Sequence, residues 1–315
     1  MRILLTGSNG QVGTEFRKTS GHDAEIISTG SRDLDLTREA EIRRFVREVK
    51  PDVIVNAAAF SDIDAAERNW DACFAINAIA PVILAEEAHR LDALLIHYST
   101  DYVFDGTKSS PYTEKDPTSP LNVYGASKVA GEEGIAGSFA RAIILRVGWI
   151  YSLEGDNFLR SVLRLAENAE ELEAVSDQLG TPTSALAIAQ ATRQLIRIYE
   201  TVPRIQFPTG IFHLAAQGST SWHGFASAIV NALAERKEAL VLPVEPVEHF
   251  AFARRPVKLA LDCKKFHEAF GFQLAPWEDQ LKEVLAEAQP FGSSPPRIKR
   301  VDSAETVSRL RVTKV

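Results

Sequence analysis

The sequence predicts an α/β fold, a doubly wound parallel sheet with a smaller C-terminal substrate lobe. Three observations carry it. Short apolar runs alternate with amphipathic segments through the first 150 residues. The connections between them are short, as in a parallel sheet covered by helices on both faces. After about residue 150 the alternation loosens into helices separated by isolated strand-like pieces.

The runs Ile3–Leu5, Glu25–Ser28, Asp52–Ala57, Ala93–Tyr98 and Ala142–Val147 have strand length and composition. Between them Gln11–Thr19, Thr37–Val49, Trp70–Arg90 and Tyr124–Ala136 show helical patterning. The third of these contains Asn77 and Pro81, and a kink follows only if Pro81 lies beyond the first turn. Later, Asn157–Asn168, Ala185–Tyr199 and Trp222–Glu235 read as helices, with Glu173–Val175, Gly210–Leu214 and Ala239–Pro243 as short strands. Residues 1–150 form the first domain and 151–289 the smaller lobe, with strands of the second free to return to the first. Residues 290–315 are a basic tail, with six Lys/Arg against two Asp/Glu, read either as a solvated extension or as a docking segment.

Composition narrows the partners. The 35 basic and 42 acidic residues leave a net charge of −7, which argues against nucleic acid. No continuous apolar run approaches the roughly 18 residues of a membrane span, and MRILLTG is too short an apolar stretch for a signal-peptide core. No membrane partner is expected, and the expected location is the cytoplasm. The two cysteines, Cys73 and Cys263, suffice for neither a disulfide scaffold nor a four-ligand zinc site.

The turn Thr6-Gly7-Ser8-Asn9-Gly10-Gln11-Val12-Gly13 follows the first strand and opens the first helix. Glycine every third residue lets the backbone approach a pyrophosphate, and the helix N-terminus offers free N–H groups to it. This places a Rossmann-type dinucleotide site here, with Gly7, Gly10, Gln11, Val12 and Gly13 at the phosphates. An acidic residue ending the second strand would bind a ribose 2′-OH. This chain instead reads Ile26-Ile27-Ser28-Thr29-Gly30-Ser31-Arg32, with no carboxylate before Asp33. Ser31 and Arg32 suit a 2′-phosphate and point to NADPH, with NADH left open. Asp35 has two readings, the adenine edge or the cap of the helix that begins near Thr37.

Tyr124 and Lys128 stand four apart, on one side of a helix. Upstream, Tyr98-Ser99-Thr100-Asp101-Tyr102-Val103-Phe104 ends a strand in hydroxyls at the carboxyl edge of the sheet. A carbonyl reductase needs a proton donor beside the oxygen that gains charge. Tyr124 fits that part if a cation brings its pKa down from about 10, and Lys128 is placed to do so while holding a nicotinamide ribose. Thr100 is then the hydrogen-bond partner of the carbonyl.

These segments, with Asn56-Ala57-Ala58-Ala59, Asp64-Ala65-Ala66-Glu67, Ser119-Pro120-Leu121-Asn122-Val123-Tyr124-Gly125, Arg146-Val147-Gly148-Trp149, Asp177-Gln178-Leu179-Gly180-Thr181-Pro182-Thr183 and Arg254-Arg255-Pro256, resemble the dTDP-4-dehydrorhamnose reductase family of extended short-chain dehydrogenases/reductases. The resemblance runs from Met1 to about Ala288. It implies that Asp35 and Leu36 flank the adenine and that Ala57, Ala58, Ala59 and Tyr98 line the cofactor. It places Tyr124 and Lys128 at the nicotinamide, and Thr100, Asp101 and Trp149 at the sugar of a dTDP-linked substrate. The implied reaction reduces a C4 keto group, converting dTDP-4-dehydrorhamnose to dTDP-L-rhamnose. The alternatives are another nucleotide-sugar reductase or epimerase, or a non-catalytic regulatory subunit of the same fold. Some relatives form a homodimer bridged by Mg²⁺ through glutamates. Glu15 matches one such position and the others are not placed in this sequence, so no metal is expected, and a homodimer stays open. Lys258-Leu259 stand where the family usually has Asn-Ser, and Phe60-Ser61 replace a common aromatic-Thr pair.

Overall fold

The computed structural model describes residues 1–19, 24–167, 171–233, 240–245, 252–288 and 309–311. The chain opens with β1 (Arg2–Thr6), α1 (Gln11–Lys18), β2 (Glu25–Thr29), α2 (Glu39–Val49) and β3 (Val53–Asn56). Then come α3 (Ile63–Ala66), α4 (Trp70–Phe74), a π-helical turn at Ala75–Ile79, α5 (Ala80–Arg90), β4 (Leu94–Thr100), α6 (Val123–Gly137) and β5 (Arg141–Val147). There follow β6 (Ile150–Tyr151), α7 (Phe158–Ala166), β7 (Glu171–Val175), β8 (Leu179–Gly180), β9 (Thr183–Ser184), α8 (Ala185–Thr201) and β10 (Gly210–His213). The last elements are β11 (Thr220–Ser221), α9 (Trp222–Ala232), β12 (Leu240–Val244), α10 (Lys264–Phe270), α11 (Trp277–Glu287) and β13 (Arg309–Arg311).

The main sheet runs β10-β5-β4-β3-β1-β2, all parallel. Successive strands leave β1 in opposite directions, so a crevice opens where Thr6 pairs with Asn56 at the carboxyl ends. Side chains of β1 alternate between two cores. Ile3 and Leu5 join Phe16 of α1 and Leu195 of α8, while Leu4 joins Ile42 and Val46 of α2 and Leu84 of α5. The strands are therefore buried on both faces, which is why they read as near-continuous apolar runs.

A third core gathers Phe158 and Val162 of α7, Leu172 of β7, Trp222 and Phe225 of α9, and Trp277 of α11. The two cores do not divide the chain at a single point. α8, β10 and α10 pack with the first core although they lie in the second half of the sequence. Of the tail, only Arg309–Arg311 falls within the described residues.

The stretch Trp70–Arg90 departs from two expectations. It is interrupted: the π turn separates α4 from α5 and places Pro81 in the first turn of α5, where a missing N–H costs little. It is also long and apolar enough, at a mean hydropathy of 1.2, to cross a bilayer, which corrects the reading that nothing in the chain is. The run-length criterion missed it because Asp71, Asn77, Glu86 and Glu87 interrupt the apolar residues. In the fold it packs against α2 and α6, and 56% of its apolar 18-residue core is buried within the protein.

Candidate active site

The carboxyl ends of the central strands open into a cleft of about 1060 Å³, lined by both halves of the chain. Its floor is the turn after β1. Gly7 adopts a left-handed φ of 68°. A Cβ there would stand 2.4 Å from the Ala58 nitrogen, and one on Gly13 would stand 2.2 Å from the Gly7 carbonyl oxygen. Only glycine permits this turn. No side chain caps α1 at Gly10, which leaves the first-turn amides and the positive end of the helix dipole open to the cleft. Gly7, Gly10, Gln11 and Val12 line the cleft, while Gly13 acts from behind by letting the helix close on the turn.

Past β2, Ser31, Asp35 and Leu36 line the cleft, and Arg32 stands exposed just outside its wall. Asp33 turns back to accept the Gly30 amide at 2.8 Å. Asp35 accepts the Thr37 hydroxyl and amide at 2.7 and 2.9 Å, bonds that hold its carboxyl below the usual range. It fixes the turn before α2, which starts at Glu39 rather than near Thr37, and it also lines the cleft.

Ala57, Ala58 and Ala59 continue from β3 along the wall. Asn56 sets their path, accepting the Thr6 hydroxyl at 2.6 Å and the Ala58 amide at 3.3 Å. One organising residue was not singled out from sequence. Buried Asn77, in the π turn, accepts the Phe60 amide at 2.9 Å and donates to the Phe60 carbonyl and to Ser127 Oγ, each at 3.0 Å. Ser127 in turn donates to the Tyr124 carbonyl at 2.7 Å, so Asn77 ties the alanine wall to α6. The signal was the Asn77-to-Pro81 spacing: Pro81 has no N–H for the carbonyl four residues back.

Asn122 caps α6 by accepting the Gly125 amide at 2.8 Å. The helix then presents half-buried Tyr124 and buried Lys128 to the cleft. Lys128 Nζ donates to the Tyr98 carbonyl at 2.9 Å, and burial brings its pKa down to about 8, against the pull of Glu132. The Tyr98 hydroxyl pairs with Thr192 at 2.6 Å, anchoring β4 to α8. Thr100 donates to Asp101 at 3.1 Å and accepts the Tyr102 amide at 3.2 Å. The expectation that Lys128 lowers the Tyr124 pKa is corrected. Burial lifts the phenol to about 12, the Thr100 hydroxyl opposes that rise, and Lys128 is not among the groups acting on it. Lys128 is turned to the Tyr98 carbonyl, and its own charge is weakened by the same burial.

Asp101 is buried, and loss of water raises its carboxyl to about 7 despite the Thr100 bond. Folded protein thus binds more protons than unfolded protein between about pH 4 and 7, and stability falls as pH rises through that window. Asp101→Asn, which keeps an acceptor for Thr100, is expected to remove this dependence and raise stability at pH 8 by about 2–4 kcal/mol. Urea unfolding at pH 5 and 8 measures it; an unchanged pH difference in the variant would show that Asp101 is not its source.

The opposite wall is aromatic. Trp149, with a left-handed φ of 47°, lies flat on Trp222 with ring centroids 3.3 Å apart. A Cβ on Gly180 would sit 2.2 Å from the indole of Trp149, so glycine there makes room for the stack. Trp222, distant in sequence, carried no motif. At the rim Asp64 pairs with Arg255 at 3.0 Å, and Arg68 lies 4.8 Å over the Phe252 ring. Where the family usually has Asn-Ser, the Lys258 amide bonds Gly106 and the Leu259 amide bonds Leu179, at 3.2 and 2.9 Å, with Leu259 buried. Glu15 pairs with Lys18 at 3.1 Å. Among the described residues no three His, Cys, Asp or Glu side chains converge as metal ligands would.

The chain matches the family model for the RmlD substrate binding domain over residues 1–289. It is 42% identical to the dTDP-4-dehydrorhamnose reductase of Burkholderia thailandensis, covering 88% of this chain and 95% of that one. It is 37% identical to the Escherichia coli K12 protein of that description, covering 91% and 98%. Among solved structures, a dTDP-4-dehydrorhamnose reductase from Clostridium acetobutylicum superposes with a TM-score of 0.85 at 34% identity, covering 91% and 99%. That from Bacillus anthracis, in complex with NADP, gives 0.84 at 31% identity over the same shares.

Proposed function

Because the chain belongs to the RmlD substrate binding domain family, we propose that it reduces dTDP-4-dehydrorhamnose to dTDP-L-rhamnose with NADPH. The carrying observation is the gathering of Thr100, Tyr124 and Lys128 in one cleft, between the uncapped glycine turn and the Trp149–Trp222 wall. The residues fit the cofactor on the structure's own terms. Added Cβ atoms would fill the cradle at Gly7 and Gly13, and Asp33, the first carboxylate after β2, is turned back onto the Gly30 amide. Gly10, Gln11 and Val12 would hold the pyrophosphate, Ser31 and Arg32 the 2′-phosphate, and Lys128 the nicotinamide ribose. When bound, NADPH supplies the hydride for the C4 carbon.

The protein's own residues handle the oxygen. Tyr124, neutral at physiological pH with its pKa near 12, donates its proton to the C4 oxygen. In the free site the Thr100 hydroxyl proton rests on Asp101; on substrate binding it turns to the C4 oxygen, and that bond grows stronger as negative charge develops. Trp149 supplies an apolar wall for the sugar's methyl group. We place the reaction in the cytoplasm. Loss of NADPH absorbance on mixing with dTDP-4-keto-6-deoxy sugars tests the proposal; no turnover with any of them would defeat it.

Cofactor choice gives a second expected result. Arg32 offers a 2′-phosphate paired, charge-assisted hydrogen bonds, but at an open rim where solvent screens them. NADPH is expected to exceed NADH in kcat/KM by about tenfold, with Arg32→Ala raising KM for NADPH alone. Equal kcat/KM for the two cofactors in the unsubstituted enzyme would remove Arg32 from cofactor recognition.

A further inference from the structure

β7 is the middle strand of a small sheet ordered β12-β7-β13. One of its edges pairs with β12, and the other carries Arg309–Arg311 in parallel. The register sets Arg309 opposite Glu171, Leu310 opposite Leu172 and Arg311 opposite Glu173. Basic positions meet acidic ones, and apolar meets apolar. The match extends beyond the pairing. Residues 167–173 contain four glutamates, while 290–315 carry six Lys/Arg against two Asp/Glu in a chain of net charge −7. Leu172 is fully buried, whereas Glu171 and Glu173 are partly exposed. Alternate residues of a strand share a face, so Glu171 and Glu173 lie together on the face opposite Leu172. A bare strand edge recruits another strand, and opposed unlike charges select which one. The family match ends at residue 289, so this partner strand lies outside what defines the family.

We propose that the edge of β7 is a docking site for the chain's own C-terminal segment, and that the docked strand is an electrostatic latch on the α7–β7 unit. Asn157, Ser161 and Arg164, at the start of α7 and along it, line the cleft, so the latch steadies the wall at that end. Docking itself is independent of the reductase reading; the effect on substrate rests on it.

Amide hydrogen exchange across 171–175 in the full chain, and in a chain ended after Gln289, tests the docking. Truncation is expected to speed exchange there about tenfold. Glu171→Lys with Glu173→Lys should do the same, and adding Arg309→Glu with Arg311→Glu should restore protection. Raising salt from about 50 to about 500 mM should speed exchange in the full chain only. Unchanged exchange on truncation would overturn the proposal. So would protection that fades on dilution, because the occupant would then be a second copy's tail. KM for the dTDP-sugar is expected to rise about threefold on truncation with kcat within about twofold, the mark of a binding-wall effect. An unchanged KM beside faster exchange would overturn the latch on the cleft. Absence of turnover in the full chain would instead defeat the reductase reading and leave the exchange result standing.

Discussion

Tyr124→Phe is expected to lower kcat by about 10²–10⁴ while leaving NADPH affinity and the fold unchanged. The ring's surroundings explain the separation. The phenyl group keeps its edge-on contact with Tyr102, centroids 5.9 Å apart, and the α6 cap at Asn122 does not involve the hydroxyl. What is lost is the phenolic proton donor that faces Thr100 in the cleft. Single-turnover reduction together with NADPH titration separates the two effects, and a variant retaining more than half the kcat would remove Tyr124 from proton transfer. Because the phenol titrates near 12, its loss of the proton sets no alkaline limit in the neutral range.

The parts of this site that were legible in the sequence share one property: their signal is local. The five early strands and the glycine turn are written in consecutive residues, and Tyr124 and Lys128 occupy one helix face by spacing alone. Trp222 and the Asp64–Arg255 pair act across long separations and nothing periodic marks them, while Asn77 is marked only by Pro81 four residues on. That strands of the second half could return to the main sheet was anticipated, but not that β10 is the one that does. Gly210–His213 is a short strand by composition, and its place beside β5 depends on a register with Ile143–Arg146 set by tertiary packing. Electrostatics was misread for a related reason. A helix spacing shows that Lys128 and Tyr124 share a side, but not that the ammonium is turned to the Tyr98 carbonyl and that burial, rather than the cation, governs the phenol.

Lys128→Met is expected to reduce kcat/KM for NADPH by about 10²–10³, the usual loss when one buried donor to a reacting assembly is removed. The same change should stabilise the protein. With a folded pKa near 8 against about 10.4 for an exposed lysine, the native state binds fewer protons across that interval. Stability of the unsubstituted protein therefore rises as pH climbs from about 8 to 10, and below pH 8 the buried charge is a full burden. Methionine fills similar volume without that charge, so a gain of about 1–3 kcal/mol at pH 7 is expected, shrinking toward pH 10. The activity profile should change in the opposite sense. In the unsubstituted enzyme kcat/KM falls as pH rises through about 8 because the ammonium that holds the nicotinamide ribose is lost; in the variant that limb is absent. Chemical unfolding at pH 7 and 10, beside kcat/KM over the same range, measures both halves. Should the variant keep an alkaline limb with the same midpoint, another group controls it, and Lys128 would be left with the Tyr98 carbonyl alone as its task.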